Sequence, residues 1–168
     1  SGSATIIVNP LPTATINGTT SVCKDGSPPN VLFTGASGVA PYTFTYRING
    51  GSTQTVTTSS GSSVSVPVPT GDAGTYSYAL TSVQDASSTA CVQVQTGTAV
   101  ITVNPLPTAT ITGSTEVCRN GAYPNITFTG SNGTAPYTFT YTINGGSNQL
   151  VTTISGNSVT VPVATGTT

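Results

Sequence analysis

Aromatic and hydroxyl-bearing residues alternate strictly along residues 42–48. Tyr42, Phe44, Tyr46 and Ile48 share one parity; Thr43, Thr45 and Arg47 share the other. Successive strand side chains point to opposite faces, so this run predicts a half-buried antiparallel strand with its aromatic face in a core. Asn49-Gly50-Gly51 follows. Asn and Gly accept the positive φ of a tight turn at little cost, so the chain should turn back there and residues 54–58 should pair with the first strand. Thr13–Asn17 reads as an earlier strand. Val31-Leu32-Phe33 reads as another, with Val31 and Phe33 inward and Leu32 outward. Val64, Val66 and Val68 alternate with Ser65 and Pro67, and a proline without an amide hydrogen suits an edge strand. Residues 75–83 and 92–103 predict a long final hairpin, with Gly97 at a bulge or bend. No segment carries helical periodicity. The expectation is an all-β sandwich of about seven strands.

The whole pattern then recurs. Residues 99–168 repeat residues 4–73 at a fixed offset of 95 without a gap, and 47 of the 70 aligned positions are identical. A period of this length is one small domain rather than a solenoid unit, so the chain reads as an array. The differences respect the predicted faces. Thr142 stands where Arg47 does and Thr127 where Leu32 does, both outward, while Tyr42, Phe44, Tyr46 and Ile48 return unchanged as Tyr137, Phe139, Tyr141 and Ile143. Residues 1–9 match the end of a repeat and are read as the last strand of a preceding copy. Residues 10–104 form a complete repeat and residues 105–168 an incomplete second one. The joints are Pro10-Leu11-Pro12 and Pro105-Leu106-Pro107. Two prolines flanking one residue favour extended backbone and limit bending. A rival division starts each copy at Ala4 and leaves these prolines inside the domain.

Composition narrows the functions. Three basic and four acidic residues are the only charges in 168, so Thr, Ser, Asn and Gln must solvate the surface. That excludes the clustered Lys and Arg of a nucleic-acid grip, and a polybasic membrane contact. No apolar run is long enough for a transmembrane helix, so membrane insertion is not expected. No secretory signal opens the sequence, which suggests an internal or processed piece. Histidine is absent, and with it the commonest general base and metal ligand. The many serines have no histidine partner and no nucleophile elbow, so no enzyme activity is expected.

Of the three cysteines, Cys23 and Cys118 are equivalent, while the counterpart of Cys91 would fall at position 186. Two cysteines per complete repeat read as an extracellular disulfide. Cys23–Cys91 within one repeat is the first expectation. A bridge between neighbouring repeats is one alternative, because in an immunoglobulin-type sandwich these positions fall at opposite poles, and free thiols are the other.

Other candidate sites are weaker. Tyr42, Phe44 and Tyr46 could stack on a sugar, but their common inward parity favours the core. Asp25, Asp72 and Asp85 are scattered, and Asn120 and Thr167 replace the first two in the second copy, so neither a metal nor a cofactor is expected. Arg119 replaces Lys24, which removes an isopeptide donor. Asn17-Gly18-Thr19, Asn125-Ile126-Thr127 and Asn132-Gly133-Thr134 match the glycosylation acceptor pattern and are read as chance.

Asp72-Ala73-Gly74-Thr75-Tyr76-Ser77-Tyr78 is similar to the D-x-G-x-Y-x-C corner of immunoglobulin-like domains, with Tyr78 in place of that family's cysteine. The wider combination of V-N-P-L-P-T-A-T-I, Val22-Cys23, Phe33-Thr34-Gly35, A-P-Y-T-F-T-Y, Ile48-Asn49-Gly50-Gly51 and Asp85 followed by Cys91 resembles the tandem PKD-like or Ig-like repeats of giant Bacteroidetes surface adhesins, gliding-motility adhesins among them. The resemblance covers essentially the whole chain. It implies type IX secretion, an extracellular cell-surface location, and a spacer or stalk role in a long adhesive filament whose partners are neighbouring repeats. A module that binds surface polysaccharide by avidity is the second reading, and the stalk of an extracellular hydrolase the third.

Overall fold

The alternation becomes strands where it is strongest. The computed structural model describes residues 2–165, and among these there is no helix. The chain divides between Asn104 and Pro105 into two units. The first contains β1 (Thr13–Asn17), β2 (Thr20–Cys23), β3 (Asn30–Ala36), β4 (Thr43–Ile48), β5 (Thr53–Thr57), β6 (Ser63–Pro67), β7 (Gly74–Gln84), β8 (Val92–Val94) and β9 (Thr98–Asn104). One sheet has the order β1-β3-β6; the other runs β2-β9-β7-β4-β5, with β8 also on β7. This is the two-sheet arrangement of an immunoglobulin-like sandwich. The nine segments exceed the expected seven because two strands are broken. β8 and β9 are halves of one strand on β7, interrupted around Gly97. Leu80 N–H donates to the Gly97 carbonyl (2.9 Å) across the break. A Cβ on Gly97 would lie 2.9 Å from Ile16 Cγ2, so the bend is tight enough to need glycine.

The first strand is broken likewise. β1 pairs antiparallel with β3, then the chain crosses to the other sheet, where β2 pairs parallel with β9 (Thr20 opposite Ile101, Cys23 opposite Asn104). Pro67 stands on β6, whose one partner among the described residues is β3, so it sits on a sheet edge as its missing amide predicts.

Between the sheets, Val31, Phe33, Phe44, Val68, Val83 and Ile101 are fully buried. Phe33 stacks on Phe44 (centroids 5.6 Å apart) and tilts against Tyr46 (5.0 Å). Outside, hydroxyl pairs take the place of ion pairs across strands: Thr34 with Ser63 and Thr43 with Thr57, each at 2.9 Å. This is how a nearly uncharged surface stays ordered and wet. The hairpin turn has positive φ at Asn49 and Gly50, and Gly51 N–H donates to the Ile48 carbonyl at 2.9 Å. The Tyr76 hydroxyl donates to the Asp72 carbonyl at 3.0 Å, closing the corner that its motif resembles.

The second unit holds β10 (Thr108–Thr112), β11 (Asn125–Ser131), β12 (Thr138–Tyr141), β13 (Gln149–Thr152) and β14 (Ser158–Pro162). They form sheets β10-β11-β14 and β12-β13, the counterparts of β1-β3-β6 and β4-β5. Phe128 stacks on Phe139 at 5.6 Å, as Phe33 does on Phe44. Counterparts of β7 and β9 are absent among the described residues, and burial shows what they supply in the first unit. Ile143 is 52% exposed where Ile48 is half-buried. Residues 115–118, the counterpart of β2, form no strand; in the first unit that segment pairs with β9.

Candidate functional site

The aromatic stripe is core rather than a sugar platform. Tyr42, Phe44 and Tyr46 are all buried in the first unit. The Tyr42 ring lies flat over Gly35, where a Cβ would come within 2.5 Å of its Cγ. Its hydroxyl donates to the Gly38 carbonyl (2.8 Å) and accepts from Gly38 N–H (3.1 Å). Burial raises the phenol pKa values of Tyr46 and Tyr78. In the second unit an apolar cleft of about 260 Å³ opens between the sheets, lined by Ile111, Phe128, Tyr141, Ile143 and Val161 among others. It carries few polar groups to orient a ligand. Among the described residues no three His, Cys, Asp or Glu side chains come together.

Among the described residues Asp85 is the one buried carboxylate, and its sequence context assigned it no structural role. One oxygen accepts from the Ser87 hydroxyl (2.8 Å), Ser87 N–H (3.3 Å) and Cys91 N–H (2.9 Å); the other accepts from Val39 N–H (3.1 Å). The loop between β7 and β8 is thereby folded around it. Burial works against the charge, but the Ser87 hydroxyl and the Val39, Ser87 and Cys91 amides outweigh it and hold the pKa below the ordinary aspartate value. The unfolded chain therefore binds this proton more tightly. The stabilisation is fully present above the ordinary aspartate pKa of about 3.9 and is lost as pH falls through the lowered folded value. Asp85→Asn should flatten the acid limb of the first unit's stability. Urea midpoints followed from neutral to strongly acidic pH check this, and an unchanged acid slope would assign the effect to another group.

The predicted joint residues part company. Pro10 is exposed and Leu11 is 55% exposed, but Pro12 is fully buried within the first unit. Pro12 is therefore part of the sandwich, and the free stretch is shorter than the motif suggested. Pro105, Leu106 (48%) and Pro107 are all exposed. Residues 4–9 form no strand; Ile6 and Val8 are 89% and 88% exposed, whereas their counterparts Ile101 and Val103 are buried against β7 and β2.

The disulfide expected within the repeat is not formed: Cys23, Cys91 and Cys118 are all thiols. The strand register gives the reason. Cys23 lies opposite Asn104, beside the Gly74 end of β7, while the Cys91 carbonyl accepts from Asp85 N–H just past its other end. The eleven residues of β7 separate the two, about 36 Å at 3.3 Å per residue, whereas a disulfide needs Cα atoms within about 7 Å. The cysteines occupy opposite poles of the sandwich. No protein-family model matches the chain, and no curated protein matches it.

Proposed function

We propose that this chain is a spacer segment of a long extracellular bacterial adhesin filament, displayed on the cell surface and serving adhesion and gliding motility. The observation that carries the reading is the gapless repeat of a whole sandwich whose aromatic residues are spent on its own core. Near-identical beads separated by proline-containing joints supply reach. Export by type IX secretion belongs to the same reading and rests on the resemblance alone. In this reading the chain carries no reaction of its own, in keeping with a sequence that has no histidine and no nucleophile elbow. The polysaccharide-binding alternative draws no support from a flat exposed aromatic surface in the first unit, because Tyr42, Phe44 and Tyr46 are buried.

In this reading each complete repeat adds about the length of its longest strand. β7 has 11 residues, or about 36 Å at 3.3 Å per residue. The prolines at 105 and 107 fix φ near −65° and stiffen the joint. Small-angle scattering should give a narrow distribution of extended shapes for the native chain. The double variant Pro105→Gly, Pro107→Gly should broaden that distribution while the unfolding midpoint stays put. A native chain with broadly distributed, bent shapes would discard the spacer role, and glycan-array binding by the same chain would then favour the polysaccharide module.

A further inference from the structure

The two cysteine positions are explained by the asparagine between repeats. Asn9 and Asn104 are the same residue of successive copies, each followed by Pro-Leu-Pro. The first unit shows both sides of that residue. As the last residue of a repeat, Asn104 pairs with Cys23, and its carbonyl accepts from Lys24 N–H at 2.7 Å. As the residue leading into a repeat, Asn9 donates from its side-chain Nδ2 to Thr89 Oγ1 at 3.0 Å. Thr89 Oγ1 in turn lies 3.1 Å from Cys91 Sγ. The Asp85 carboxylate holds that loop in place through Ser87 and Cys91. So a joint asparagine is gripped through its backbone by the repeat it closes and through its side chain by the repeat it opens. A Cys23-type thiol stands beside the first grip and a Cys91-type thiol beside the second.

We infer that consecutive repeats are covalently stapled by a disulfide from the Cys23 position of one repeat to the Cys91 position of the next, across the shared asparagine. Both positions are accessible, Cys23 exposed and Cys91 half-buried, and no bridge within a repeat competes for them. The two thiols each give up one proton and one electron as the S–S bond forms. The disulfide of an exported thiol oxidoreductase takes up both electrons and both protons and becomes a dithiol. Each repeat then carries one half of two staples, which accounts for two cysteines per complete repeat at opposite poles. The staple presupposes the tandem array of the spacer reading but not its stiffness.

The test uses the chain extended by a second copy of residues 74–104, which places a fourth cysteine at position 186. After oxidation, free thiols are alkylated and the protein is digested with trypsin under denaturing, non-reducing conditions. Cleavage after Lys24, Arg47 and Arg119 separates the possibilities, because Cys23 falls in 1–24, Cys91 and Cys118 in 48–119, and position 186 in 120–199. The expected result is a single reducible link between 1–24 and 120–199 in monomeric protein, with Cys91 and Cys118 alkylated. Cys23→Ser should abolish that link and raise the number of alkylated thiols from two of four to three of three. A link between 1–24 and 48–119, one between 48–119 and 120–199, a link found only in covalent dimers, or four alkylated thiols would each overturn the staple. Scattering from the reduced chain keeps the two readings apart. An extended reduced chain without the link rejects the staple alone; a linked but bent chain rejects the stiff spacer alone.

Discussion

Replacing Phe44 with alanine should destabilise the first unit by about 3–5 kcal/mol, the usual cost of emptying a fully packed aromatic site. Phe44 is wholly buried and sits between Phe33 at 5.6 Å and Tyr42 at 6.3 Å, so its loss leaves a void flanked by two rings that cannot both close on it. The first unit has a single core, and a loss of this size is a large fraction of a small domain's total stability. The equivalent Phe139→Ala should cost less. Phe139 keeps its ring contacts, at 5.6 Å to Phe128 and 6.2 Å to Tyr137, but it lines an open cleft that relaxes or fills with water. Urea unfolding monitored separately on the two variants measures the difference. Equal losses would mean that the cover supplied by β7 and β9 contributes little to the core.

Gly35→Ala should be nearly as damaging for the opposite reason. The added Cβ would meet the Tyr42 ring at 2.5–2.8 Å, and that ring is pinned at its far end by two hydrogen bonds to Gly38. Overpacking of this kind costs about 1–3 kcal/mol, and a ring that cannot swing away puts this case at the upper end. The cost should fall sharply in a Tyr42→Leu background, where the clashing ring atoms are gone, so a double-mutant cycle should show strong coupling. Additive losses would place the strain elsewhere. Gly130 and Tyr137 repeat the arrangement in the second unit, with Gly133 N–H donating to the Tyr137 hydroxyl at 3.0 Å.

What the sequence revealed, and what it hid, follows from how local each signal is. The parity of residues 42–48 foretold which side chains are buried, because one strand carries the whole pattern. β1 could be read to the residue, and Gly97 announced the break between β8 and β9. β2 could not be read. It is four residues long, shows no clear alternation, and its partner, β9, lies about eighty residues away in a parallel pairing. Pro12 looked like linker beside Pro10, yet it is fully buried, which only the assembled fold shows. Asp85 gave no local hint that three separate backbone amides would converge on it. The cysteine pairing failed for a related reason: spacing along the chain is silent about which pole of a sandwich a residue reaches.

The parallel pairing of β2 with β9 has a mechanical consequence. β2 belongs to the beginning of the repeat and β9 to its end, and both run toward the pole where the chain leaves at Asn104. Tension applied at the two ends of the chain therefore drags these neighbours in opposite directions along their own axes. Their hydrogen bonds are loaded in shear and must yield together, rather than opening one by one as a hairpin pulled from its open end would. In single-molecule stretching the first unit should give way abruptly at a high force. Substituting proline for Val22, which removes an amide hydrogen from this short pairing, should lower that force far more than it lowers the urea midpoint.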